Sequence, residues 1–275
     1  MRKFFRCLWK ALGRIWPACI TQAQAAAFNM FIAFFPMILL VLGVVSSWGI
    51  LRSGVEEMIN GLGPLMPPGI AQVMRDFLER HAEHPVSWIS VGLLGTLLAG
   101  TQMMRMLIEG FHLAQGKERP SPLRQIPRAL GLLIVTLAPT VLAIALAVFG
   151  KQMRITMQQQ FGSPVLIRVL FSIGLTLSAW VLAVLVLAVV YRVGIEHVNN
   201  WQEVLPGAIV ATPIWWLVSW CFGLYMRHVP YDLVYGGLAT AIGLLLWMNL
   251  TTVIILFGAA YNAENCGGAR FSVSV

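Results

Sequence analysis

From Leu233 to Ala263 the chain runs without a formal charge, and no other feature limits its fold as sharply. As a helix, at about 1.5 Å per residue, this stretch would reach about 46 Å, against a hydrocarbon core of about 30 Å. It must cross a membrane and tilt, bend or project beyond the lipid. Further uncharged apolar runs lie at Gln22–Leu51, Val86–Met104, Ala129–Gly150, Val169–Tyr191 and Val204–Met226, each long enough for a crossing, which takes about 17 to 25 residues. Only 11% of the residues are charged and 58% are hydrophobic, whereas soluble domains carry about 25% charged residues. The pattern predicts an all-α integral membrane protein in which residues 1–275 form a single polytopic domain. Six transmembrane helices are expected, at about 22–51, 86–104, 129–150, 169–191, 204–226 and 233–263.

The basic residues orient that bundle. With the N-terminus inside, twelve of the 19 Lys and Arg residues fall in inner segments, chiefly 2–14 and 105–128, and seven in outer ones. By the positive-inside rule both termini are expected in the cytoplasm. Phe4, Phe5, Leu8, Trp9, Leu12, Ile15 and Trp16 recur at helical spacing among Lys and Arg, the pattern of an N-terminal interfacial helix in the headgroup layer. Lys10 and Arg14 interrupt the apolar core that a signal peptide would need. The polar connection Arg52–Pro85 belongs outside. Ile70, Val73, Met74, Phe77 and Leu78 fall on one helical face there, which predicts an extracytoplasmic amphipathic helical hairpin resting on the bilayer or capping the spans. The inner segment Arg105–Arg128 continues the second span, with Arg105 and Glu109 at i,i+4, then turns through Gly116 and Pro120 to Pro122, and its basic residues suit anionic headgroups.

An ionisable side chain at mid-membrane costs at least about 2.5 kcal/mol and marks function. Counted from the charge-free runs, all eleven acids fall in loops or at span ends, so no buried carboxylate relay is expected. The spans instead carry neutral polarity. Gln22, Ala26, Asn29, Ala33, Pro36, Leu40, Gly43 and Ser47 form one small and polar stripe in the first span; Asn29 is placed to hydrogen-bond between helices or to meet a substrate. Gly236, Thr240, Gly243, Trp247, Thr251, Ile255, Gly258 and Asn262 form an inward stripe in the last, with Asn249 on another side. That helix is expected at the centre of the bundle. Pro36, Pro139 and Pro213 each free a backbone carbonyl, useful for a cavity or a moving gate. The substrate-pathway candidates are Asn29, Pro36, Tyr225, Tyr235, Gly236, Trp247, Asn249 and Asn262.

Other chemistry finds little support. The net charge of +8 is scattered over loops rather than gathered on an aromatic-studded face, which argues against nucleic acid as a partner. Four dispersed cysteines make neither a disulfide framework nor a zinc site. His81-Ala82-Glu83-His84 is the one local metal candidate and lacks further ligands. No nucleophile with an adjacent base is apparent in a span, and no GxxxxGK loop is present. Neither an enzyme, a bound metal nor a cofactor is expected. The expected partners are membrane lipids and an amphiphilic substrate.

The chain resembles the YihY and virulence-factor BrkB family of bacterial inner-membrane proteins. The resemblance rests on Ala25-Ala26-Ala27-Phe28 through Phe35-Pro36, Tyr191-Arg192, Pro206-Gly207-Ala208, Tyr225, Tyr235-Gly236, Trp247, Gly258-Ala259 and Asn262, in order along nearly the whole chain. It implies a six-span bundle in the inner membrane with both termini cytoplasmic. It also links the chain to translocation of lipid-like or other amphiphilic molecules, which the kinked spans, inward polar stripes and outer hairpin favour, while the absence of a coupling residue makes a non-transporting envelope scaffold the alternative. It brings no catalytic or binding residues to carry over. Two positions depart from the family pattern: Val193-Gly194-Ile195 follows the Tyr-Arg pair where relatives have a proline, and Ala260 stands where relatives have Glu, with Glu264 one helical turn later.

Overall fold

A computed structural model of the chain describes residues 2–16, 18–47, 85–118, 121, 125–136, 165–195, 200–228 and 238–266. All regular structure among them is helical: α1 (Arg2–Ile15), α2 (Ala18–Ser47), α3 (Pro85–Ala114), α4 (Gln125–Thr136), α5 (Val165–Gly194), α6 (Trp201–His228) and α7 (Leu238–Cys266). Helices α2, α3, α5, α6 and α7 are each long and apolar enough to cross a membrane, because their backbone polar groups are satisfied within the helix and their side chains suit lipid. Helix α4 is apolar but short; the rest of the expected third span and the outer hairpin lie outside the described residues.

The helix of the second span continues past Met104 as α3 to Ala114, as the i,i+4 spacing of Arg105 and Glu109 implied, and its apolar segment runs from Ile89 to Ala114. Arg and Glu are good helix formers, so Arg105 and Glu109 end the charge-free run without ending the helix. What ends it is Gly116, whose φ of 71° is left-handed and open to glycine at little cost. Lys117 N donates to His112 O at 2.9 Å and Gly116 N to Leu113 O at 2.9 Å, the paired bonds of a Schellman cap.

Helices α2 and α3 pack antiparallel along much of their length. Glycines permit the approach: a Cβ on Gly92 would lie 2.5 Å from the Leu40 nitrogen, and one on Gly95 would lie 2.7 Å from the Pro36 ring. Helix α7 touches α1, α2, α3 and α6 and is the most buried of the candidate spans, the central position that its two polar sides implied. Helix α1 packs Ala11 and, partly, Cys7 and Leu8 against the bundle, while Trp9, Leu12 and Trp16 stay exposed. These exposed apolar side chains alternate with basic positions, as the interfacial reading requires.

Candidate functional site

Polar side chains within the spans gather in two places. One is a seam between α2 and α3. Gln22 Nε2 donates to Glu109 Oε2 at 3.5 Å across the two helices, and Arg105 Nη1 donates to Gln102 Oε1 at 3.1 Å within α3. The register fixed by Gly92 on Leu40 and Glu109 on Gln22 sets Gln102 level with Asn29 and Arg105 level with Ala26. Arg105 therefore lies within the apolar segment of α3. At about 1.5 Å per residue it lies roughly 13 Å inside the Ala114 end of the apolar segment. Leu256 of α7 packs on Gly110, which places Arg105 level with Thr251, near the middle of that span. Helix α3 thus carries Arg105 and Glu109 within its apolar segment, four residues apart on one face.

The other gathering is a knot where α5 ends and α6 begins. Asn262 of α7 reaches α6 with both ends of its amide: Oδ1 accepts from Gly207 N at 2.6 Å and Nδ2 donates to Val204 O at 3.0 Å. The backbones meet because neither helix has a side chain at the crossing. A Cβ on Gly207 would strike the Gly258 carbonyl, and one on Gly258 would strike the Tyr191 hydroxyl and come within 2.9 Å of Ala211 Cβ. Tyr191, fully buried, donates to Ile255 O at 2.9 Å and sets its ring edge-on to Phe111 of α3 at 5.7 Å. Arg192, beside it, stacks over Trp201 at 4.4 Å. On another side of α7, Thr252 Oγ1 is within hydrogen-bond distance of Ala23 O of α2 at 3.0 Å, and shares its one proton with Met248 O and Asn249 O of its own helix at 3.0 and 2.9 Å. The bonds of Asn262, Tyr191 and Thr252 satisfy buried polar groups and tie neighbouring helices together.

Farther along the α6–α7 contact, indoles take over. Trp247 Nε1 donates to Ser219 Oγ at 3.2 Å and Trp215 Nε1 to Thr251 Oγ1 at 3.1 Å, with the two rings 6.3 Å apart. The inward stripe of the last span thus faces α6 through Trp247, Thr251, Gly258 and Asn262. The remaining pathway candidates are dispersed. Asn29 donates to Ala25 O of its own helix at 2.8 Å rather than to a neighbouring one, since a short amide in a helix can reach back to the preceding turn. Pro36 supports Gly95. Asn249 is half-buried, and Tyr225 is exposed with its ring 6.3 Å from Phe222. Tyr235, Gly236, Pro139 and the His81–His84 pair lie outside the described residues. Arg105, Gln102 and Glu109 were missed as site residues; their spacing on one face of the second span was visible, but Arg105 and Glu109 were assigned to its cytoplasmic end.

The knot assembles Tyr191-Arg192, Pro206-Gly207-Ala208, Gly258-Ala259 and Asn262 from three helices, and the family model for virulence factor BrkB matches residues 17–270, which include all of them. The chain belongs to the virulence factor BrkB family. Among the curated relatives of this BrkB-family chain are proteins named UPF0761 membrane protein from Xanthomonas oryzae pv. oryzae, Xanthomonas axonopodis pv. citri and Xanthomonas campestris pv. campestris. Each is 25% identical over 263 residues, which is 94% of this chain and 59 to 60% of the relative. The chain therefore spans about 60% of the length of these relatives. No solved structure matches it. Ala260, where the resemblance led a glutamate to be expected, is fully buried one turn beyond Leu256, on the side of α7 that meets α3.

Proposed function

We propose that this BrkB-family protein is a carrier, rather than an enzyme, that translocates lipid or other amphiphilic molecules across the bacterial inner membrane, with both termini in the cytoplasm. The observation that carries the reading is the seam of Gln22, Gln102, Arg105 and Glu109 between two apolar helices. Ionisable groups inside membrane helices mark substrate or ion paths, and polar groups beside lipid-facing apolar ones suit a molecule with a head and a tail. The prolines within α2 and α6 fit helices that must bend as a path opens.

The test is reconstitution of the full chain into liposomes that hold a fluorescent phospholipid, with a membrane-impermeant quencher added outside. Transport predicts that the protected fraction falls faster than in empty vesicles and that Arg105→Gln slows the fall. Equal rates for protein-containing and empty vesicles, with several headgroups tried, would remove the reading. A scaffold role is favoured by one observation, the tight Gly207–Gly258 crossing locked by Asn262; a stoichiometric membrane partner that co-purifies, with no lipid movement, would select it.

A further inference from the structure

Arg105 follows the usual lean of helical side chains toward the helix N-terminus, and what it meets there leaves its charge unmatched. A long basic side chain near one end of a membrane helix ordinarily stretches toward the nearer interface. Arg105 is closer to the Ala114 end of its apolar segment than to the Ile89 end, yet its guanidinium bonds to Gln102, one turn in the opposite direction. It reaches deeper. Its partners do not account for its charge, because Gln102 is a neutral amide. The Nε is shielded from solvent and meets no acceptor. Glu109, the nearest candidate counter-ion in sequence, directs its carboxylate to Gln22. Among the described residues no carboxylate pairs with Arg105. A guanidinium offers a planar fork of donors that matches phosphate or carboxylate oxygens in pairs, and this fork has donors left over.

What lies beside it gives the rest of the ligand. Leu94, Leu98 and Arg105 share one stripe of α3 at helical spacing. Leu94 is 62% and Leu98 74% exposed, so the stripe is open to lipid and ends in a cation. An acyl chain fits along the leucines with an anionic group at the arginine, in the orientation of a lipid whose head has been drawn below the headgroup layer. From this juxtaposition we infer that Arg105, supported by Gln102, binds the oxyanion headgroup of a membrane amphiphile whose chain lies along Leu98 and Leu94. The site names the substrate class for the carrier and rests on that reading for its role, but its binding is measurable without transport.

Native mass spectrometry of the full chain, released from micelles doped with phosphatidylglycerol or phosphatidylcholine, tests it. The wild type should retain one more phosphatidylglycerol than Arg105→Gln at equal lipid, with apparent affinity at that site reduced at least tenfold by the substitution and phosphatidylcholine retention unchanged. Arg105→Lys keeps the charge but not the fork, and should weaken retention several-fold while preserving the preference for the anionic lipid. Leu98→Trp, at an exposed position, should lower phosphatidylglycerol occupancy by crowding the chain. Equal phosphatidylglycerol retention by wild type, Arg105→Gln and Arg105→Lys overturns the assignment. So does Arg105-dependent binding of inorganic phosphate alone with lipid retention indifferent to the residue, which would make the ligand a soluble anion. Arg105-dependent retention without lipid movement in liposomes would sink the carrier reading and leave the site standing.

Discussion

The crossing of α6 and α7 makes a quantitative claim that a double-mutant cycle at Gly258 and Tyr191 can break. A methyl group at Gly258 would overlap the Tyr191 hydroxyl, and would also sit 2.9 Å from Ala211 Cβ and 3.0 Å from Gly207 O. Overpacking of this kind costs about 1–3 kcal/mol, and two of the three obstacles belong to helix backbone or its first side-chain atom, so Gly258→Ala should fall near the upper value. Tyr191→Phe removes the hydroxyl and its 2.9 Å bond to Ile255 O. That carbonyl retains its intrahelical partner, so the loss should be about 0.5–1.5 kcal/mol. In the double variant the methyl meets two obstacles instead of three, and the lost hydrogen bond is no longer displaced by a clash. The combined loss should therefore fall short of the sum by about 1 kcal/mol, within the range found for residues in contact. The assay is unfolding of the purified protein in mixed micelles by increasing sodium dodecyl sulfate, followed by tryptophan fluorescence. Additivity of the two losses to within about 0.5 kcal/mol would mean that the hydroxyl does not fill the space over Gly258, and the description of the knot would be wrong.

Three smaller perturbations probe other parts of the same framework by the same titration. Asn262→Ala leaves the buried Gly207 N–H without its 2.6 Å acceptor and should destabilise by about 1–3 kcal/mol; Asn262→Asp should do little better once ionised, because a carboxylate cannot donate to Val204 O. Thr252→Val keeps the shape but removes the bond to Ala23 O and should cost only about 0.6 kcal/mol, typical of a polar contact between membrane helices; a loss above about 2 kcal/mol would place more weight on that bond than such contacts carry. Gly116 has open space where a Cβ would go, so Gly116→Ala isolates the left-handed backbone and should cost about 1–2 kcal/mol, with Gly116→Asn milder; equal stability of all three proteins would show that the α3 cap is not held in that conformation.

How much of this was legible depends on whether the signal lies along the chain or across it. Charge-free runs are a property of the chain, so the spans now seen as α2, α5, α6 and α7 could be read directly. The inward stripe of α7 was also legible, since helical spacing alone puts Trp247, Thr251, Gly258 and Asn262 on one side, and α6 occupies that side. Spacing cannot say whether a polar side chain bonds outward or back to its own helix, which is why Asn29 could not be assigned. Arg105 was missed for a different reason. A charge closes a hydropathy window, but a helix is closed by its capping geometry, and here the cap at Gly116 lies well beyond the first charge. Measured from the cap rather than from the charge, the interval Arg105 to His112 belongs to the same continuous helix as the apolar run before it, so Gln102, Arg105 and Glu109 form one polar face against α2, which counting charge-free runs divides between two segments.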